Sequence, residues 1–193
     1  MAGEKETRSI PRDRYAEVLV VVMVALALLV AWGVKAGAES RAVQIELATL
    51  RVRYGYDWIR EQPTSPEVLK IVDPGSGARF QTTIVVSELT GMSANDQVAQ
   101  LLNSSRLRER SFYQVLDGGT IEWRGRETYR NSFAYVDVSP DLLNPTVPVV
   151  VHGIDYVFQH GSTTFVITCL ADEGVYDDAL VQFERFLNSF TPV

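Results

Sequence analysis

The chain is poor in the residues that most often carry chemistry. Its 193 residues include one cysteine, Cys169, and two histidines, His152 and His160. A single cysteine excludes an internal disulfide and any zinc cluster built on cysteine ligands. On an extended segment the two histidines lie roughly 26 Å apart at ~3.3 Å per residue, too far to share one metal ion. No Gly-x-Ser-x-Gly elbow occurs, and Gly75-Ser76-Gly77 lacks the Gly-Lys-Ser/Thr ending of a phosphate loop, so it reads as a turn. Basic residues are outnumbered, 18 against 24 acidic ones for a net charge of -6, which argues against a general nucleic-acid binder. Internal repeats are absent. Long apolar runs are absent as well, with one exception.

That exception is Val18 to Val34, 17 consecutive uncharged residues closed by Glu17 and Lys35. At ~1.5 Å per residue the run covers roughly 26 Å, and Tyr15 to Lys35 covers roughly 31 Å, against a hydrocarbon core of about 30 Å. Tyr15 and Trp32 sit near its two ends, where amphipathic rings favour the membrane interfaces. The run predicts a single transmembrane helix over residues 15–35. Ala36-Gly37-Ala38 resembles a signal-peptidase site, but the apolar run exceeds the ~7–15 residues of a cleaved signal and Lys35 intervenes. A retained anchor is the better reading. Lys5, Arg8, Arg12 and Arg14 precede the run, which favours a cytoplasmic tail over residues 1–14 and an extracytoplasmic C-terminal domain in the cell (inner) membrane.

Residues 36–45 read as a linker, and 46–193 as the folded domain. Beyond Lys35 the chain carries 13 basic and 20 acidic residues, a net charge of -7. Leu50, Val52 and Tyr54 alternate with Arg51 and Arg53, the period of a half-buried strand. Further strands are expected at Leu69–Asp73, closed by Asp73-Pro74-Gly75, and at Phe80–Leu89. Ser93 with Asp96 signals a helix start, and Val98, Leu101 and Leu102 give that helix an apolar face up to about Arg108. Phe112–Leu116 and Thr120–Trp123 flank Asp117-Gly118-Gly119 and read as a hairpin. Thr128–Val138 is a further strand, and Ser139–Pro148 a loop. Val149–Phe158 and Thr163–Cys169 form the strongest hairpin, turning at His160-Gly161-Ser162. Val175, Leu180, Phe183, Phe186, Leu187 and Phe190 recur at helical spacing, with Asp177 and Asp178 early, where the helix dipole favours acids. The class is α+β, a mainly antiparallel sheet covered by helices.

The aromatic strand Arg53-Tyr54-Gly55-Tyr56-Asp57-Trp58 leads to a strand ending in Asp73-Pro74, a long strand and a Ser-capped helix. After a meander come the Thr-rich strand Thr163–Thr168 and a last helix ending in Asn188-Ser189-Phe190. This order resembles the PsbP/Mog1/DcrB-like fold, an α/β/α sandwich, over about residues 46–192. The resemblance implies a mostly non-catalytic role: accessory subunits of photosynthetic complexes, small-GTPase-binding proteins and bacterial envelope proteins share that fold. Fold transfers function poorly, so the residues themselves must be weighed.

Cys169 ends an apolar strand and reads as a buried structural thiol, while the two histidines read as surface or turn residues. Asp172-Glu173 and Asp177-Asp178 lack the spacing of a calcium loop and read as helix-start acids. The most suggestive feature is arginine. Arg106, Arg108 and Arg110 precede the expected hairpin, and Arg124, Arg126 and Arg130 follow it. Symmetric pairing about Gly118-Gly119 would bring Arg110 near Arg126 and gather six arginines on one edge. Glu109, Glu122 and Glu127 would neutralise a merely solvated face; a docking surface for acidic protein or lipid headgroups is the sharper reading. Neither a catalytic constellation nor a cofactor or metal site is expected. The expectation is a non-catalytic, single-pass accessory subunit, partnered by the lipid bilayer and by other subunits of a membrane complex (photosynthetic or respiratory electron transport). The alternative is an anchored envelope domain for ligand binding or sensing, with a pocket lined by Trp58, Trp123 and tyrosines.

Overall fold

Strands with one buried face and strands buried on both faces sort the computed structural model into layers. It describes residues 12–39, 41–76, 79–91, 94–138 and 147–193. In chain order these form α1 (Arg12–Glu39), β1 (Ala42–Glu46), β2 (Leu50–Gly55), β3 (Ile59–Glu61), β4 (Glu67–Asp73), β5 (Thr82–Thr90) and α2 (Asn95–Glu109). There follow β6 (Ser111–Trp123), β7 (Arg126–Asp137), β8 (Val149–His160), β9 (Thr163–Asp172), a 3-10 turn over Glu173–Val175, α3 (Tyr176–Ser189) and β10 (Thr191–Pro192).

The chain divides into two units at Ala42 and Val43. In the first, the large apolar side chains from Val18 to Val34 are all exposed, between 50% for Val22 and 70% for Trp32. The transmembrane helix expected over 15–35 is not shown: among the described residues no helix is long and apolar enough to cross a membrane, and the side chains of residues 15–17 and 35 lie outside them. The expected tail falls largely on residues 1–11, outside the described ones, as does the side chain of Tyr15. The expected linker is shorter than 36–45, because α1 continues to Glu39 and β1 begins at Ala42.

In the second unit seven strands form one sheet in the order β3-β4-β5-β9-β8-β7-β6, and each neighbouring pair is antiparallel. A small sheet, β1-β2-β10, shares no strand pairing with it. The central strands β8 and β9 are buried on both faces, so each face needs a cover. On one face Ile154, Phe158, Phe165, Ile167 and Cys169 pack with Phe183, Phe186, Leu187 and Phe190 at the α3 end, together with Leu50 and Val52 of β2. Phe158 lies 5.7 Å from Phe165, and Phe190 meets both rings edge-on at 5.8 and 5.6 Å. Burying one such ring contributes roughly 1.5–3 kcal/mol. Ser189 Oγ donates to Arg53 O at 3.0 Å and accepts from Arg53 N at 2.9 Å, pinning the end of α3 to β2. On the other face Val157 and Val166 pack with Val98 and Ala99 of α2.

The expected hairpin at Asp117-Gly118-Gly119 is corrected. β6 runs straight through it, with a register shift between Val115 and Asp117, and pairs Gly118 with Asn131 and Trp123 with Arg126. The turn is Arg124-Gly125, whose φ values of +54° and +72° are the left-handed pair that a two-residue hairpin demands. The β8–β9 hairpin turns where expected, with His160 opposite Thr163 and Gly161 at φ +61°. Ser93 and residues 139–146 lie outside the described residues; α2 follows Ala94, which makes no side-chain cap.

Candidate functional site

The alternation that buries apolar residues against α2 also carries polar ones there. Asp155 of β8 is opposite Thr168 of β9 and Asn131 of β7, so all three share the α2 face. Asp155 is fully buried. An isolated carboxylate in that place would be prohibitive, so its partners decide the local structure. Arg106 comes down from α2 and donates through Nη1 to Asp155 Oδ2 at 2.5 Å and through Nη2 to Oδ1 at 2.9 Å. Thr168 Oγ1 donates to Oδ1 at 2.7 Å, and Asn131 Nδ2 to Oδ2 at 3.0 Å. Asn103 Oδ1 receives Asn131 Nδ2 at 2.8 Å and the Tyr113 hydroxyl at 2.6 Å. The Arg106 guanidinium also lies 4.2 Å from the centre of the Phe133 ring. Burial opposes charge on Arg106, and the adjacent carboxylate overcomes it, so the guanidinium pKa is raised. Burial likewise raises the pKa of the Tyr113 hydroxyl. With four donated bonds, Asp155 is committed to holding α2 on the sheet.

The six arginines are not gathered on one edge. Ser111 pairs with Val136 whereas Arg126 closes the opposite end of the hairpin, which separates Arg110 from Arg126 by about 36 Å of strand at ~3.3 Å per residue. Arg110 lies over the Tyr135 ring at 5.0 Å and 4.0 Å from Asp137 Oδ1. Arg108 is exposed on the last turn of α2. At the other end Arg124 Nη1 donates to Phe190 O at 2.7 Å, tying the hairpin tip to the end of α3. Arg130 is exposed, between Gly119 and Tyr156 in the register. The error follows from the misplaced turn: moving it from Gly118-Gly119 to Arg124-Gly125 re-registers every pair. No local motif singles out Asn103, Tyr113 or Asn131, whereas Asp155, an acid at a core-facing position of a largely apolar strand, is a signal the sequence does carry.

No family model matches the chain, and no curated protein matches it. Solved structures do. Cyanobacterial PsbP (CyanoP) from Synechocystis sp. PCC 6803 superposes with a TM-score of 0.56 at 11% identity, over 79% of this chain and 92% of its own. LpqN of Mycobacterium tuberculosis, involved in cell envelope biogenesis, gives 0.52 at 15% identity over 79% and 91%. The Ran-binding protein Mog1p of Saccharomyces cerevisiae gives 0.52 at 12% identity over 78% and 95%. The chain has the PsbP/Mog1 fold. At these identities the likeness is one of fold, and function rests on the residues.

Within the PsbP/Mog1 fold of this chain, α2 leaves part of the sheet uncovered. Between α2 and strands β5 and β9 lies a cleft of about 340 Å³, walled by Val85, Leu89, Leu102 and Leu170 with Arg106 and Glu109 beside them. Tyr135 and Phe133 line it, but the two tryptophans expected there do not: Trp58 belongs to the α3-side core, and Trp123 packs on Phe158 at 5.1 Å. His152 Nε2 lies 3.9 Å from Glu173 Oε1, and His160 is exposed at the far end of the same strand. Cys169 is fully buried, and burial pushes its thiol pKa up to about 12. Asp177 and Asp178 fall in the first turn of α3, and Asp172 accepts from Gly174 N. The thiol, the helix-start acids and His160 stand as expected, but His152 is neither at a turn nor fully at the surface: it is half-buried within β8, between Ala134 and Ala171 in the register.

Proposed function

We propose that the chain is a non-catalytic, single-pass membrane accessory subunit whose PsbP/Mog1-fold domain docks on other subunits of a larger membrane assembly. One observation carries the proposal: along Val18–Val34 every large side chain is apolar and at least half exposed, on a helix that forms a unit apart from the domain. An apolar surface that no protein core covers calls for another apolar environment. The described run covers about 26 Å at ~1.5 Å per residue; the flanks to Tyr15 and Lys35 extend it to about 31 Å, the thickness of a hydrocarbon core. Arginines ahead of the run favour a cytoplasmic N-terminus and an extracytoplasmic domain. Docking draws support from the fold, since the superposable Mog1p is a Ran-binding protein. An energy-transducing complex, photosynthetic or respiratory, is the setting we favour.

Carbonate extraction of membranes holding the full chain tests the anchor, and protease digestion of spheroplasts tests the side. Retention in the pellet with a digestible domain is expected; release by carbonate overturns the anchor, and protection overturns the orientation. A second reading, an anchored envelope domain for ligand binding or sensing, is favoured by the cleft beside α2. A native gel of a mild-detergent extract separates the two. Co-migration with other membrane subunits supports docking, and migration at the mass of the lone chain supports the sensor.

A further inference from the structure

On the face of the sheet opposite Arg106, strand register places a second polar group of residues. Asp73 ends β4 directly opposite Thr82, the first residue of β5. Ile71 and Ile84, one pair inward on the same face, belong to the core that α3 covers, so Asp73 and Thr82 point toward α3. Thr82 is 1% exposed, and its hydroxyl is buried with no hydrogen-bond partner. An orphaned buried hydroxyl is unfavourable and rare in folded proteins.

Thr82 lines a pocket of about 270 Å³, where Asp73, Ser76 and Thr82 meet Trp58, and Asp178 and Gln182 of α3. Asp73 Oδ1 accepts from Gly75 N at 2.9 Å, which turns the loop and leaves Oδ2 for another partner. Ser76 Oγ accepts from Thr82 N at 2.7 Å and fixes that loop on the strand. Neither Asp73 nor Asp178 forms an ion pair among the described residues, and no basic side chain lines the pocket. The pocket therefore offers two acceptor carboxylates, an amide and an unused hydroxyl beside an indole. A primary ammonium carries three N–H donors and one positive charge, and it matches this set: carboxylates take the charge, the hydroxyl oxygen takes a hydrogen bond, and the aromatic wall takes the alkyl stem.

We propose that this pocket, between the start of α3 and the β4–β5 end of the sheet, binds a primary alkylammonium group. The group is carried either by a free diamine or by a lysine side chain. The proposal is independent of how the chain is anchored and of what it docks on.

Calorimetric titration of the detergent-solubilised full chain with putrescine, N-α-acetyl-lysine amide and 1-butanol tests it. At least one amine is expected to bind, and 1-butanol is not. Putrescine alone points to a free diamine; the lysine derivative, with or without putrescine, points to a protein side chain. Asp73→Asn keeps the loop acceptor and removes the charge, and Asp178→Asn does the same on α3; each is expected to weaken binding at least tenfold. Thr82→Val separates binding from folding. Removing an orphaned hydroxyl leaves the melting temperature unchanged or higher, whereas amine binding falls. No binding by either amine, equal binding by 1-butanol, or affinity untouched by all three substitutions overturns the proposal.

Discussion

Arg106 and Asp155, 49 positions apart in the chain, meet in a two-bond ion pair whose carboxylate is fully buried. The pair joins α2 to the middle of the sheet. Two charges under a helix would contribute little net stability if removed together, but removing one strands the other. Arg106→Met is therefore expected to cost about 3–5 kcal/mol, leaving Asp155 only the bonds from Asn131 and Thr168. Urea unfolding of the full chain measures it. A loss below about 1 kcal/mol, the size of a surface pair, would show that Asp155 reaches water.

Why this pair escaped the sequence while its surroundings did not has a physical reason. The β8–β9 hairpin is legible because both strands are rich in β-branched and aromatic residues and Gly161 marks the turn. α3 is legible because Phe183, Phe186, Leu187 and Phe190 recur at helical spacing, and all are buried. The membership of Asn103, Arg106, Tyr113, Asn131, Asp155 and Thr168 in one network depends on the lateral register of four strands and a helix, which no local pattern encodes. β1, β3 and β10 escaped because they are short, and mostly exposed along β1 and β3, so apolar alternation has little to act on.

The position of the β6–β7 turn yields a paired prediction. Gly125 has φ +72°, a conformation that costs a residue with a Cβ about 1–2 kcal/mol. Gly119, by contrast, lies within the strand and has open space where a Cβ would stand. Gly125→Ala should lose about 1–2 kcal/mol, and Gly119→Ala should stay within about 0.5 kcal/mol of the parent. The two denaturation curves decide it: the reverse order would place the turn back at Asp117-Gly118-Gly119.

Cys169 supplies a dependence on alkaline pH. Its thiol rises from an ordinary 9.0 to about 12 on folding, because burial penalises the thiolate. Between those values the folded chain holds a proton that the unfolded chain has lost. Stability is thus unaffected by this group below about pH 9 and falls by about 1.4 kcal/mol per pH unit above it, until the folded thiol also ionises. Four half-buried or buried tyrosines, Tyr113, Tyr135, Tyr156 and Tyr176, are raised by burial too and steepen the fall at higher pH. Because the unfolded tyrosines already begin to ionise between pH 9 and 10, the difference between the parent and a cysteine-free variant isolates the thiol. Cys169→Ala should flatten the slope of unfolding free energy there while leaving the tyrosine limb; an unchanged slope would mean that the thiol ionises in the folded state.

The proposed anchor makes the sharpest demand on a single residue. Leu26 stands midway between Val18 and Val34 and is 56% exposed, so in a bilayer it would lie at the midplane. An arginine there is unfavourable by about 2.5–3.5 kcal/mol relative to insertion without it, a factor on the order of 100 in the insertion equilibrium. Near either end of the run the same side chain reaches the interface along its apolar stem, and the penalty shrinks. Leu26→Arg should therefore move most of the chain from the carbonate-resistant pellet to the supernatant, whereas Val18→Arg should leave most of it in the pellet. The depth dependence is the telling part. Equal loss from both variants would point to a protein groove holding the helix along its whole length, and no loss from either would remove the bilayer as its environment.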